Sequence, residues 1–261
     1  MILAIDIGNT NIVLGVMDGE EIKFEARLAT DTLKTADQYS AEIKNILDLF
    51  EVNREELEGS IISSVVPPVF NAIRAAVRRI TGRMPLVVGP GIKTGLNIRM
   101  DNPATVGSDL IVDAVAALGK YEPPLIIIDM GTATTISVVD AQGAYVGGCI
   151  CPGMRVSLDA LTSHTAQLPG ISMETPRRAI GKNTVDCMRS GILMGNAAMV
   201  DGMIDRMEEE LGMHATAIIT GGTARSVLPL CRRTLIYERD LLLMGLGLLY
   251  ENNRKPRRQE K

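Results

Sequence analysis

ILAIDIGNTNIVLGVMDGEEIKFEARL, residues 2–28, and LIIIDMGTATTISVVDAQGAYVGGCI, residues 125–150, read as two copies of one device. Each is an apolar run that closes on Asp-x-Gly, at Asp6 to Gly8 and at Asp129 to Gly131. Each then has a short turn rich in hydroxyl or amide groups, a second apolar run, a turn at Asp18-Gly19 or at Asp140 to Gly143, and a third extended run. The residues after the first glycine of each copy decide the fold. Beyond Gly8 the chain goes straight into Ile12 to Val16, and beyond Gly131 into Thr134 to Val139, both strand-like. A dinucleotide-binding or Walker loop requires strand, glycine turn and then helix, so both are excluded. Each copy is instead a β-hairpin extended to a three-stranded antiparallel meander.

Helical patterns follow each meander. Residues 35–50 put Tyr39, Ile43, Ile46 and Phe50 on one face, and Thr35 with Gln38 forms a capping box. The run 61–67 reads as a buried strand ending at Pro67-Pro68. A helix over 69–82 then turns Phe70, Ile73, Val77 and Ile80 inward and Arg74, Arg78 and Arg79 outward. A short strand is expected over 85–88, and residues 89–106 are irregular, a loop length that is often functional. A helix over 108–120 leads into the second copy. Helices over 153–168 and 184–212, a strand over 217–220 running into Gly221-Gly222, and a helix over 240–251 complete the pattern. The fold class is α/β with two halves, divided at the Gly119 to Pro124 turn into 1–118 and 119–252, with a basic tail at 253–261 expected to be disordered. The two Asp-x-Gly turns are expected to line a cleft between the halves.

Composition narrows the partners. The 261 residues carry a net charge of −4, which offers no field for nucleic acid or anionic lipid. Aromatic content is 3% with no Trp, which argues against a surface of stacked single-stranded bases. Cys149, Cys151, Cys187 and Cys231 form no CxxC pair and read as small buried hydrophobes in a reducing compartment; Cys149 and Cys151 alternate onto one strand face. The 14 Met residues fill core gaps. No apolar run reaches membrane-spanning length, and Asp6 and Asn9 interrupt the N-terminal apolar stretch, so neither a signal peptide nor a membrane partner is expected, and the cytoplasm is the expected location. His164 and Arg177-Arg178 lie in polar stretches and read as surface or subunit-contact residues.

The turns carry the chemistry. Gly8 and Gly131 admit a close backbone approach, and backbone N–H groups with the hydroxyls of Thr10, Thr132 and Thr134 supply donors for a phosphate. Asp6 and Asp129, at strand ends, are acceptors suited to a metal ion or its water. Asp109 follows Gly107-Ser108 at the start of the helix over 108–120, where a carboxylate serves as an ordinary cap or as a group that orients a hydroxyl for phosphoryl transfer; Asp113 lies one turn further on.

IDIGNT, IDMGTA and TGG resemble the phosphate-1, phosphate-2 and adenosine motifs of the acetate and sugar kinase, heat-shock chaperone and actin superfamily. Within it the chain resembles type III pantothenate kinases over nearly its whole length, through SSVVPP at 63–68, DNPATVGSD at 101–109, GGCICPG at 147–153 and IGKNTVDCMRSGI at 180–192. The resemblance implies two actin-like (ribonuclease H-like) domains facing a nucleotide cleft, and ATP-dependent phosphorylation of pantothenate, the first step of coenzyme A biosynthesis, by a homodimer with active sites at or near its interface. It implies ATP contacts at Asp6, Ile7, Gly8, Asn9, Thr10, Asn11, Ile12 and Val13, at Thr132, and at Gly221 and Gly222. It implies Mg²⁺ held through water by Asp6, and a monovalent cation, K⁺ or NH₄⁺, held by Asp129. Asp109 is then the general base, the pantothenate side comprises Met100, Gly107, Ser108, Asp109 and Leu110, and Thr184 reaches pantothenate across the dimer interface.

Two positions depart from the family pattern. The family has Gly-x-Asp-Arg around the base, with the Arg expected to pair with the pantothenate carboxylate, and here Leu110 follows Asp109. Met100 stands where the family has Tyr. A leucine cannot supply a bidentate cation. Three readings are open: another cation such as Arg99 or Arg155 holds the carboxylate; the acceptor is a neutral pantetheine-like alcohol; or the chain is a nucleotide-binding accessory or regulatory paralogue without phosphotransfer.

Overall fold

The computed structural model describes residues 1–254, and the remainder of the basic tail lies outside the described residues. Both Asp-x-Gly segments form the expected meanders. β1 (Ile2–Ile7), β2 (Asn11–Asp18) and β3 (Glu21–Ala29) are antiparallel. α1 (Ala36–Leu49) starts on the Thr35/Gln38 capping box. β4 (Gly59–Ser64) returns parallel to β1, and α2 (Pro67–Thr81) opens with Pro at its first turn, where the missing N–H costs nothing. β5 (Leu86–Val87) completes a sheet of order β3-β2-β1-β4-β5. β6 (Asn97–Ile98) and α3 (Ser108–Lys120) precede the second meander of β7 (Leu125–Met130), β8 (Ala133–Val139) and β9 (Ala144–Pro152). Then come α4 (Met154–His164), α5 (Thr184–Arg189), α6 (Gly195–Leu211), β10 (Thr216–Thr220) parallel to β7, α7 (Ala224–Val227), β11 (Ile236–Tyr237) and α8 (Leu241–Asn253). The second sheet has the order β11-β10-β7-β8-β9-β6.

Three local expectations change. The single helix expected over 184–212 is interrupted by a π-helical stretch at Ser190–Met194. The helix expected over 153–168 ends at His164. The buried face of α1 is Tyr39, Ser40, Ile43 and Leu47, not a stripe reaching Phe50. Phe50 caps the helix with non-helical dihedrals, leaves the stripe, and stacks on Phe24 with ring centroids 4.3 Å apart.

The chain divides into two compact units. The first comprises Met1–Leu96, Asn102–Gly119 and the segment from Asp240 onward; the second comprises Asn97–Asp101 and Lys120–Arg239. In the first, Leu3, Ile5, Ile7, Ile12 and Leu14 pack against Tyr39, Ile43 and Leu47 of α1 and Ile73 and Val77 of α2. The opposite side of the sheet, through Ile2, Ala4 and Ile61, meets Val112 and Val115 of α3 and Leu243, Leu246 and Leu249 of α8. This corrects the expected division at 118/119, which placed α8 in the second half. α8 is apolar around most of its circumference, and burying it completes the second cover of the first sheet. β6 makes the reverse exchange by pairing with β9. No helix among the described residues is long and apolar enough to cross a membrane.

The second unit packs Ile126, Ile128, Met130 and Ile136 against Met154, Leu193, Val200, Ile204 and Val227. The four cysteines are free thiols, but none is fully buried and Cys187 is exposed, which corrects the expectation of four buried packing residues; burial, then the neighbouring Cys151, pushes the Cys149 thiol up to about 11. Glu208 of α6 is buried at 7% exposure. Desolvation disfavours its charge, but the Ala215 N–H (3.0 Å), His214 Nδ1 (2.9 Å) and Arg233 Nη2 (2.6 Å) outweigh it and hold its pKa down to about 2. A depressed carboxyl pKa contributes stability present above its unfolded value and lost as pH falls through the folded one. Glu208→Gln is therefore expected to cost about 3 kcal/mol at neutral pH, because Arg233 loses a buried counter-charge. Urea unfolding across pH checks this: the gap to the unsubstituted chain closes as pH falls from 4.5 toward about 2.

Candidate active site

The first Asp-x-Gly turn sits at the carboxyl end of β1. Asp6 is 7% exposed, and the parallel register sets it beside Ser63 of β4. Gly8 donates its N–H to Asn11 O at 3.0 Å, and Asn9, Thr10 and Asn11 face solvent. Thr30, a residue with no motif to mark it, holds the turn from outside: its Oγ1 donates to Gly8 O at 2.6 Å and its N–H to Thr10 O at 3.0 Å. Ile7 and Ile12 point into the core, so any contact they make with a nucleotide is through backbone. Val13 is partly buried against the opposite side of the sheet.

Ser108 connects this strand end to α3. Its Oγ accepts from Ser63 Oγ (3.0 Å) and from the Ser64 N–H (3.2 Å), and donates to Ser64 O (3.1 Å). A hydroxyl so fully engaged positions the helix and has little left for a substrate. The next residue, Asp109, therefore stands in the first turn of a helix tied to the neighbour of β1. Burial raises its carboxyl above the ordinary 3.8, against the stabilising backbone N–H groups of Leu110 and of Asp109 itself. Leu110 N lies 2.9 Å from Asp109 Oδ1. Asp113, one turn along, is 3% exposed.

The second unit repeats the plan with a shorter turn. Met130 pairs with Thr134 where Ile7 pairs with Ile12, so three residues separate the last paired positions instead of four. Asp129 lies beside Thr220 of β10, as Asp6 lies beside Ser63. Gly221 follows at φ +96°, and a Cβ there would stand 2.3 Å from Asp129 Oδ1 and 2.5 Å from Met130 N. Only glycine fits this position, which brings the TGG segment directly against the second Asp-x-Gly turn; Gly222 beside it is exposed. Thr223 secures the contact by donating its Oγ1 (2.9 Å) and N–H (3.2 Å) to Met130 O. Gly153, at the start of α4, donates its N–H to Thr132 O at 3.1 Å, and a Cβ on it would meet Thr132 O at 2.3 Å. Thr132 is exposed on the turn. Thr134 is not: it is fully buried on the core side of β8, so its hydroxyl is no donor to a ligand, contrary to the sequence expectation. Period-two alternation counted from the shorter turn gives this orientation.

Gly107, Ser108, Asp109 and Leu110 lie in the first unit, and Met100 and Thr184 lie in the second. Met100 Sδ lies 3.5 Å from the Cβ position of Gly147, and Thr184 is exposed at the start of α5. Of the two candidate cations, Arg99 is paired with Asp140 at 3.0 Å. Arg155 has no ion pair among the described residues and stands in the first turn of α4, where the helix dipole opposes a positive charge.

Two meanders of one design, each followed by a strand parallel to its first, with an acidic residue at each equivalent strand end, define an actin-like fold. Residues 2–206 match the family described as type III pantothenate kinase. The chain belongs to that family. It is 47% identical to the type III pantothenate kinase of Exiguobacterium sp. (strain ATCC BAA-1283 / AT1b), over 98% of this chain and 100% of the relative. It is 48% identical to the type III pantothenate kinase of Exiguobacterium sibiricum, over 97% of this chain and 100% of the relative. Among solved structures it resembles the activator of the 2-hydroxyisocaproyl-CoA dehydratase from Clostridium difficile with bound ADPNP, with a TM-score of 0.57 and 13% identity over 97% of this chain and 94% of that one. That likeness is one of fold.

Proposed function

We propose that this chain transfers the γ-phosphoryl group of ATP to the primary hydroxyl of pantothenate, the first step of coenzyme A biosynthesis, in the cytoplasm. The observation that carries the reading is the link from Asp6 through Ser63 and Ser108 to Asp109, which puts a desolvated carboxylate in the same unit as the first phosphate turn. Asp109 accepts the hydroxyl proton as the oxygen attacks the γ-phosphorus and ADP departs. The Gly8 to Asn11 turn and Thr132 bind phosphate oxygens, and Gly221-Gly222 face the adenosine. Asp6, at the carboxyl end of β1, would hold a Mg²⁺ through water. When bound, that ion neutralises charge developing on the transferred group. Asp129 holds the monovalent cation, K⁺ or NH₄⁺.

Arg155 is the cation we assign to the pantothenate carboxylate in place of the arginine lost at Leu110, because Arg99 is already engaged by Asp140. Self-association as a homodimer is part of this reading; among the described residues no large apolar side chain of 184–205 is exposed, while Ile150 at 74% and Ile180 at 80% are exposed on β9 and on the loop that ends at Thr184. A coupled assay with ATP and pantothenate, run with and without K⁺ or NH₄⁺, tests the whole reading. Turnover that requires a monovalent cation is expected, and ATP binding without turnover under any cation would reject it in favour of an accessory protein. Arg155→Ala is expected to raise the KM for pantothenate about a hundredfold and leave that for pantetheine unchanged. Equal use of both acceptors by the unsubstituted chain would instead favour the neutral-alcohol reading that Leu110 permits.

A further inference from the structure

The chain has no Trp, five Tyr and three Phe, so few side chains can stack on a purine. Of the three tyrosines in the second unit, Tyr145 is 2% exposed and Tyr121 donates its hydroxyl to Glu238. Tyr237 lies on β11, paired with Ile219 of β10, two residues before Gly221. Its ring is half-buried against the core and carries the Arg225 guanidinium, whose Cζ is 5.5 Å from the ring centroid. Arg225 is exposed in α7, four residues after Gly221, and has no ion pair among the described residues.

Both members of this pair are held from behind. Thr223 fixes the start of α7 to Met130 O. Glu238 donates its N–H to Ile219 O at 3.0 Å, and Asp201 accepts the N–H groups of Arg232 (2.8 Å) and Arg233 (3.1 Å), which anchors the segment entering β11. A guanidinium with one face on an aromatic ring has a second flat face of the same size, delocalised and weakly hydrated, suited to a heterocyclic base.

We infer that Arg225, backed by Tyr237, is the platform on which the nucleotide base stacks. This rests on the assignment of Gly221-Gly222 to the adenosine and adds what holds its base. Stacking on a guanidinium uses the π-face common to all bases, so the platform contributes affinity without choosing between adenine and guanine.

Calorimetric titration of the full chain with ADP, GDP and inorganic tripolyphosphate tests the inference. Arg225→Ala is expected to weaken ADP and GDP about tenfold each and leave tripolyphosphate and the melting temperature unchanged. Arg225→Lys keeps the charge, loses the plane, and is expected not to restore ADP. Tyr237→Leu removes the backing and is expected to weaken ADP in the same direction, which serves if the alanine variant folds poorly. Unchanged ADP affinity in Arg225→Ala overturns the platform, and so does rescue by lysine together with weakened tripolyphosphate, which would mean a charge acting on phosphate. An unsubstituted chain that binds tripolyphosphate as tightly as ADP would overturn the adenosine assignment itself. A chain that prefers ADP yet ignores the substitution would sink only the platform.

Discussion

Asp109→Ala is expected to lower kcat about a thousandfold with the KM for ATP nearly unchanged, as removal of a positioned general base does. Its effect on stability should be opposite in sign. The folded-state pKa of Asp109 is raised by burial, so ionising it costs the fold free energy at every pH above its unfolded value. Removing the carboxyl at neutral pH is thus expected to leave the melting temperature unchanged or higher, which separates a lost reacting group from a damaged helix. The same shift has a kinetic consequence. The base works only when ionised, so kcat/KM falls on the acid side through a pKa above the ordinary 3.8 of an aspartate. Stopped assays over pH, with Asp109→Glu beside Asp109→Ala, check both points. Near-normal turnover in the alanine variant would remove Asp109 from the mechanism.

Gly221→Ala is expected to disrupt the second Asp-x-Gly turn. The φ of +96° is strained for any residue with a Cβ, and that atom would collide with Asp129 Oδ1 and Met130 N. The backbone neighbours cannot yield: Met130 N and C belong to the central strand β7, which is paired with β10 on one side and β8 on the other. The expected loss of stability is about 3 kcal/mol, and the displaced turn lowers ADP affinity about a hundredfold. Gly170→Ala, on a backbone with open space around it, is the control and should change neither quantity. Thermal unfolding and ADP titration of the two variants give the comparison. A Gly221→Ala chain with full ADP affinity would detach the TGG turn from the nucleotide.

Much of this site is legible in the sequence because its signals are local. The absence of a helical pattern after Gly8 and Gly131 leaves only a hairpin, and both hairpins form in antiparallel register. The capping box at Thr35 and Gln38, Pro at the start of α2 and Asp109 in the first turn of α3 follow from chemistry within four residues of each position. Thr30 and Ser108 show the limit. Each fixes a site backbone through a hydroxyl, across 22 and 44 residues respectively, and a hydroxyl that bonds at such a distance has no local signature. Thr134 departs from expectation for a different reason. The two turns align by eye, but the second is one residue shorter, and in a strand one residue reverses the face.

The sequence by itself determined the repeated meander, the two Asp-x-Gly turns, the carboxylate at the start of α3 and the family, since these depend on residue order over short windows. Tertiary structure alone decided that α8 covers the first sheet, that β6 joins the second, that Gly221 abuts Asp129 and that Arg225 rests on Tyr237. The physical reason is common to all four. An apolar helix, a two-residue strand, a glycine and an exposed arginine are each compatible with several surroundings, and only the burial and close approach achieved when distant segments pack select one.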